Sequence, residues 1–577
     1  MNIFQKIPVK IPRSTNFNLD HVLNTTCNFG DLVPVFCEYL NPGDRFSITP
    51  EVVCRMVPML APVFDRVNLF FHFFAVPIRL VDYQFQKRFI NDNNADGIYT
   101  RPFINPSSII ALSDYYARYF QVRSLWDYFG FPTIETAQEA GKLNTDVLTD
   151  CFRAYQLIYN EYYRDQNLTS EIPLDPDFNG DELLHTQMET RDYGSYNPID
   201  LLEIRQRCFE KDYFTSALPF TQRGEPVTIP LSGDANIYFD PTSKKTQLWR
   251  NGGSSSYGQL LDGFNGASAD QDKFSSVGPT SQGTSAFLNL DDDANGISRL
   301  AQGFSVLDLN STHKVDLQGV NASTINELRF AFALQSWLEA NARAGNRYKE
   351  QLMVHFGVVG KDARLDRPEF LGGVRVPLAI SEVLATAQTN QAVGSVDSVS
   401  VGDMAGRGYA ASVKRCVRRY FADEHCLIIG ILSIMPRTSY MQGIRRQFQA
   451  FDFFDYPFPK FAHLGEQAIR NRELYLTGDR SYDDAVFGFQ SRYSEFKFIP
   501  SRVTGDFRST LRYWHLGRYF SSRPALNTQF VTLTRENQES FNRIFDYTGS
   551  DESHFYCHIL FRVHARRELP RFGVPTL

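Results

Sequence analysis

Three constellations in this 577-residue chain carry side chains able to do chemistry, and each has a plainer reading beside it. His554, Cys557 and His558 offer the donor types of a transition-metal site. On a strand, however, the two histidines project from one face about 13 Å apart at the usual rise, too far to share an ion without a bend. Surface or hydrogen-bonded histidines fit that spacing better. Asp291, Asp292 and Asp293 form an oxygen-rich run of the kind calcium accepts, yet the spaced ligands and closing glutamate of a calcium loop are missing. A solvated acidic tip is the simpler account. Gly402 to Gly408, GDMAGRG, holds glycines without the strand-turn-helix context of a phosphate loop, so a loop turn is expected there.

No G-x-S-x-G elbow, Walker loop, H-E-x-x-H pair or dinucleotide fingerprint occurs. Among 65 acidic residues no spacing singles out a glycosidase pair. Sequons at Asn24, Asn167, Asn310 and Asn321 have no secretion signal to give them meaning. The eight cysteines, at 27, 37, 54, 151, 208, 416, 426 and 557, include no C-x-x-C pair and read as reduced core thiols of a cytosolic product. No catalytic residue, metal ligand or cofactor is assigned.

Charge placement says more. The chain carries −6 overall, with a pI near 6.0, so any nucleic-acid contact must be confined to one face. Lys6, Lys10 and Arg13 have no acid among the first nineteen residues, and Arg562, Arg566, Arg567 and Arg571 face Glu568 alone. These seven are the candidate DNA-facing cations, since each placed at a phosphate releases counterions. Phe4, Phe561 and Phe572 lie near them as candidate stacking rings. Ordinary solvated termini explain the same runs equally well.

The elements that would position such groups are mainly strands. Val67 to Ile78 and Cys426 to Met435 are the strongest apolar stretches. Both fall short of the roughly 18 residues that span a bilayer, so they read as buried strands. Phe70 to Leu80 is too continuous for a one-sided surface strand and suits a sandwich core. Asn41-Pro42-Gly43-Asp44 marks a turn between two apolar runs. In Cys557 to Arg566, Ile559, Phe561, Val563 and Ala565 alternate with His558, Arg562, His564 and Arg566, the pattern of a half-buried edge or surface strand.

Helices interrupt the strands. Phe152, Tyr155, Ile158, Tyr159, Tyr162 and Tyr163 follow three-and-four spacing and predict one inward face. A second helix is predicted from Thr324, with Glu327 completing a capping box, to a stop at Gly345. Before it, residues 251–300 hold 8 Gly, 9 Ser and six Asp against Lys273 and Arg299. That composition cannot build a core. We read 231–322 as one exposed insertion, with short strands at Asn236 to Phe239 and Thr246 to Trp249, between a first part at 1–230 and a remainder at 323–577. A flexible linker between two domains is the alternative.

Several blocks resemble one family, the major capsid proteins of Microviridae, especially the gokushovirus-like branch. They are GDLVPVF and PGDRF (Gly30 to Phe36, Pro42 to Phe46), FFHFFAVPIRL (Phe70 to Leu80) and FRAYQLIYNEYYRDQNL (Phe152 to Leu168). FEKDYFTSALPFTQRGEPVTIPL (Phe209 to Leu231), the stretch Ala342 to Gly373, HLGEQAI (His463 to Ile469) and the stretch Phe487 to Phe520 complete the set. The resemblance implies an eight-stranded antiparallel jelly-roll β-sandwich, mainly β, with long loop and helix insertions. It further implies pentamers in a T=1 icosahedral shell of sixty copies that packages circular single-stranded DNA of a small bacteriophage. The 231–322 insertion then corresponds to a threefold protrusion, with Gly252, Gly253, Asp291, Asp292 and Asp293 as its candidate surface residues. Implied partners are an internal scaffolding protein, a DNA pilot protein, small DNA-binding proteins and a host surface receptor, with no membrane. The expected location is the virion, assembled in the host bacterial cytoplasm. Competing readings are a carbohydrate- or receptor-binding sandwich that forms no shell, and a β-sandwich hydrolase, which the missing motifs disfavour. Loops rich in Phe, Tyr and Arg, such as Arg445 to Phe461, are the expected subunit contacts.

Overall fold

Two patterns of burial organise the molecule. The computed structural model describes residues 14–82, 85–86, 101–174, 198–225, 227, 325–345, 347–384, 404–547 and 552–571, with the backbone of short strands between 236 and 316. The chain divides into two compact units, Met1–Gly224 with Leu338–Leu577, and Glu225–Trp337.

In the larger unit the strands are β1 (Thr15–Asn18), β2 (His21–Cys27), β3 (Val33–Leu40), β4 (Arg45–Met56) and β5 (Val67–Pro77). They continue after the helical region as β6 (Glu369–Pro377), β7 (Ala379–Leu384), β8 (Met404–Val413), β9 (Val417–Phe421) and β10 (Cys426–Pro436). A hairpin of β11 (Glu466–Arg470) and β12 (Val486–Ser491) and a final β13 (Phe555–Arg567) follow, and a short ladder pairs Phe103–Ile104 with Val147–Leu148. One antiparallel sheet runs β1–β13–β4–β8–β7, with β2 also on β13 and β9 also on β4. The other runs β6–β5–β10–β3. Their buried side chains belong to one hydrophobic core, as in a β-sandwich.

Strand β4 buries alternate residues, Phe46, Ile48, Val52, Cys54 and Met56, and β13 does the same with Phe555, Cys557, Ile559, Phe561, Val563 and Ala565. Period-two burial leaves the opposite face of this sheet to solvent. The sequence pattern of β13 is therefore confirmed in its alternation, and of the two positions it allows, the surface strand holds and the edge strand does not. The strand is interior, flanked by β1 and β2 on one side and β4 on the other. The second sheet differs. Its strands β5 and β10 pair from Val67↔Pro436 to Pro77↔Cys426 and are buried nearly throughout. Both faces are covered, which is why their sequences read as unbroken apolar runs.

The cover comes from the helical region. Helix α1 (Asp150–Ile158) runs into a single π turn at Tyr159–Tyr163. The three-and-four spacing predicts one inward face, but this helix is buried nearly all round. One side meets the sheet, where the Tyr155 hydroxyl donates to the Leu32 carbonyl at 2.8 Å. The other side meets residues 198–205, whose Leu201 and Glu203 carbonyls accept from Gln156 Nε2 at 3.0 and 2.9 Å. Phe152 stacks on Trp126 with ring centroids 5.8 Å apart.

The turn at Asn41–Asp44 forms as expected, with the Asn41 backbone N–H donating to Asp44 Oδ2 at 3.0 Å and Gly43 at φ +92°. It carries the chain from one sheet to the other rather than closing a hairpin. The GDMAGRG stretch, expected as a loop turn, instead enters β8 at Met404; Gly402 lies outside the described residues. Glycines are needed there because the strand crosses tightly. A Cβ on Gly406 would meet the Ala61 carbonyl oxygen at 2.5 Å, and one on Gly408 would meet Met56 Sδ.

Helix α2 (Ile325–Ala344) stops at Gly345, φ +98°, as the sequence predicts, whereas Thr324 lies outside the described residues. It is followed by α3 (Tyr348–Phe356). The smaller unit contains short antiparallel ladders: Asn236–Tyr238 with Lys314–Asp316, and Gln247–Arg250 with Leu260–Leu261 and Phe304–Leu307. Lys273–Phe274 pairs with Ala286–Phe287, and Leu290–Asp292 with Ser298–Leu300. Two of these strands fall where the sequence places them.

Candidate nucleic-acid and subunit-contact surfaces

The bare face of the first sheet gathers mostly basic side chains. Alternation sends Arg45, Glu51 and Arg55 of β4 outward, with His558, Arg562, His564 and Arg566 of β13 and Arg407 and Tyr409 of β8. Pairing puts them in rows: Arg566 opposite Arg45, Leu560 opposite Glu51, and Tyr556 opposite Arg55. Among the described residues Glu51 is the one carboxylate in these rows, and Arg562 Nε lies 2.6 Å from it. The rest form a basic field on a protein that is acidic overall, which suits one-sided contact with a polyanion.

The sequence candidates sort differently on this frame. Arg562 and Arg566 do lie on the exposed face; Arg566 Nε donates to Ser14 Oγ at 2.7 Å. Arg567 does not. Its Nε lies 3.6 Å from Asp44, a buried carboxylate, and its guanidinium sits 5.1 Å from the Phe46 ring centroid. It holds the β3–β4 turn to β13. Arg571 is exposed beyond the strand. Lys6, Lys10, Arg13, Phe4 and Phe572 lie outside the described residues. Phe561 is a correction: it is fully buried between the sheets, 5.4 Å from Phe36, and has no face to offer a base. Among the described residues, Tyr409, Tyr556 and Phe421 (opposite Arg45) are exposed aromatics on this side, which charge counting at the termini could not reveal.

A second surface is apolar. Residues 445–461 form short turns at Arg446–Gln449, Phe453–Asp455 and Pro459–Phe461. Asp455 Oδ2 accepts from the backbone N–H groups of Phe451 and Asp452, each at 3.0 Å, which fixes the turn. Arg446 anchors its root, donating to the Ala468 carbonyl at 2.6 Å. The rings themselves have little cover: Phe451 is 84% exposed, with Phe448, Phe453, Phe454 and Tyr456 also exposed. Tyr348, Met353 and Phe356 of α3, with Val358 and Val359 after it, form a further exposed apolar patch. Patches of this kind mark places where another chain docks.

The protrusion candidates are only partly in view. Gly252, Gly253 and Asp293 lie outside the described residues. Asp291 and Asp292 belong to a two-stranded ladder, with Asp291 opposite Arg299.

Among the described residues no reaction centre emerges from the clefts. The cleft around His72, of about 620 Å³, contains Arg347, Lys211 and Glu350. Arg347 donates to the Asn160 carbonyl at 2.7 Å, Lys211 lies 2.5 Å from Asp165, and His72 Nδ1 is 2.7 Å from the Tyr163 hydroxyl. Burial, reinforced by the Arg207 guanidinium, pushes His72 down to about 4, so its imidazole is neutral near pH 7. These groups are engaged in holding the fold. His554 is buried against Asn28 and the Tyr547 carbonyl, while His558 meets Asn24 at 2.7 Å; they are hydrogen-bonded separately. Among the described residues no three His, Cys, Asp or Glu side chains converge as metal ligands, and no helix is long and apolar enough to cross a membrane.

Comparison with known proteins accounts for such a molecule. A family model described as "Capsid protein (F protein)" matches residues 5–577. The capsid protein VP1 of Chlamydia phage 1 is 31% identical, with 100% of this chain and 98% of that protein covered. The VP1 of Bdellovibrio phage phiMH2K is 32% identical over 99% of this chain and 97% of its own length. The VP1 of Spiroplasma virus 4 is 27% identical over 98% and 96%. A sandwich with one bare basic face and exposed aromatic loops suits a structural virion component, and the chain belongs to the capsid protein (F protein) family of Microviridae-type phages, a family of structural capsid proteins rather than enzymes.

Proposed function

We propose that this chain is the major coat protein of a small phage and that its copies form a T=1 icosahedral shell of sixty around circular single-stranded DNA. The observation that carries the reading is the unlike dress of the two sheets: one is covered by helices and loops, the other is bare and basic. A shell needs that polarity, because its inner wall meets phosphates while its flanks meet other copies. In this reading the bare face lines the interior, and Arg562 and Arg566, together with Arg45, Arg55 and Arg407, contact DNA.

The same reading makes the sandwich an eight-stranded jelly roll. Strands β2, β13, β4 and β8 in one sheet and β3, β10, β5 and β6 in the other support it, since the chain alternates between the sheets in the way that fold requires. The aromatic turns at 445–461 supply contacts between copies. Stable association needs well over about 1,000 Å² per interface, and much of the gross gain is offset by lost freedom and desolvation. Closed symmetry then lets modest contacts sum to a durable particle. The 231–322 segment becomes a surface protrusion available for host attachment. Scaffolding, DNA pilot and small DNA-binding proteins of the phage would be its partners during assembly in the host cytoplasm.

One negatively stained micrograph of the expressed chain, with its phage partners present, tests the reading. Uniform particles a few hundred ångströms across are expected; material that stays monomeric in light scattering under every assembly condition would overturn it.

A further inference from the structure

The bare sheet face carries a row of side chains that charge alone does not explain. Arg55 on β4 lies directly opposite Tyr409 of β8 on one side and Tyr556 of β13 on the other. Opposed residues in antiparallel strands keep their Cβ atoms about 5 Å apart, so the three side chains form a ladder about 10 Å wide. Tyr409 is 51% and Tyr556 45% exposed. Among the described residues neither hydroxyl has a hydrogen-bond partner and the Arg55 guanidinium has no carboxylate. Half-exposed tyrosines flanking this arginine leave ring faces, hydroxyls and a guanidinium open to a ligand.

Beside the ladder opens a cleft of about 660 Å³, whose lining includes Arg55, Tyr556, His558, Asn24 and Tyr128, and also Asp127. Asp127 Oδ2 accepts from the Arg123 backbone N–H at 2.8 Å, which fixes the carboxylate in place. A phosphate is drawn to Arg55 and repelled from Asp127. A flat, uncharged ring is not repelled by the carboxylate and can lie against Tyr556.

We propose that this ladder and cleft form a subsite for an unpaired nucleotide, its phosphate at Arg55 and its base stacked on Tyr556. The proposal rests on the reading of the bare face as DNA-lining and adds to it a place where bases, not only phosphates, are bound. Aromatic stacking is tolerant of sequence, as a coat protein packaging a whole genome requires.

The test uses the full-length chain as capsomers and a short oligodeoxythymidylate, against an abasic oligonucleotide of equal length and charge. The abasic strand should bind about tenfold more weakly, on the scale of stacking contributions measured by alanine substitution. Tyr556→Ala should erase that difference and Tyr556→Phe should keep it. An iodouracil-containing strand irradiated with the unaltered chain should cross-link to the peptides bearing Tyr556 or Tyr409. Equal binding of both strands, with cross-links elsewhere, overturns the subsite while leaving the basic face intact. No binding of either strand overturns the subsite and the DNA-lining reading together.

Discussion

Arg45 and Arg566 stand directly opposite each other on neighbouring strands, both exposed. Like charges in that geometry destabilise a sheet by a few tenths to about 1 kcal/mol. Each has one local compensation. Arg45 lies 5.3 Å from the Phe421 ring centroid, worth about 0.5 kcal/mol at an exposed site. Arg566 donates to Ser14, worth about 1 kcal/mol at most. The terms nearly cancel, so the double variant Arg45→Ala, Arg566→Ala should change fold stability by less than about 1 kcal/mol. Binding should respond far more. For single strands the logarithm of affinity falls with the logarithm of salt by about 0.7 per phosphate neutralised, so two lost contacts flatten the slope by about 1.4. If the non-ionic part is unchanged, affinity at 0.1 M salt drops about 25-fold. Fluorescence anisotropy of a labelled oligonucleotide across a salt series reads the slope, and thermal unfolding reads the stability. An unchanged slope in a folded variant would refute the assignment of this face; a loss of stability above about 2 kcal/mol would refute the claim that the pair is structurally neutral.

Other outcomes follow from the same geometry. Phe451→Asp with Phe453→Asp should leave unfolding within about 0.5 kcal/mol of the parent, as exposed positions do, yet abolish particles in sedimentation. Phe73→Ala, at a fully buried position of β5, should cost about 3–5 kcal/mol and show as insoluble expression. His72 is held neutral in the fold, so its contribution is complete above the unfolded value near 6.5 and is lost as pH falls toward about 4, at up to about 1.4 kcal/mol per pH unit. His72→Gln keeps a partner for Tyr163 and should flatten that part of the stability–pH curve relative to the parent. Gly408→Ala should destabilise β8 by about 1–3 kcal/mol, because the added methyl collides with Met56.

Much of the architecture was legible in the residues. The unbroken runs of β5 and β10 and the alternation of β13 report directly which faces are covered, because burial acts on each side chain in turn. What covers a face is not local, and there the reading failed. The spacing of Phe152 to Tyr163 could not reveal that residues 198–205 bury the outer side of α1. The pairing of β1 and β2 with β13 joins segments more than 500 residues apart, so neither the interior position of β13 nor the roles of its arginines were visible. Arg567 and Arg566 are neighbours in sequence, yet one is tied to a buried aspartate and the other faces solvent. Phe561 is buried for the same reason: nearness to basic residues along the chain says nothing about which side of a pleat a ring occupies. Tyr409 and Tyr556 lie far apart in sequence and meet only across Arg55.

The most direct test is a reconstruction by electron cryomicroscopy of DNA-filled particles. The face bearing Arg45, Arg55, Arg562 and Arg566 should line the interior against nucleic-acid density, with the 445–461 turns packed on neighbouring copies. A particle in which that face points outward, or lies buried between subunits, would contradict the account.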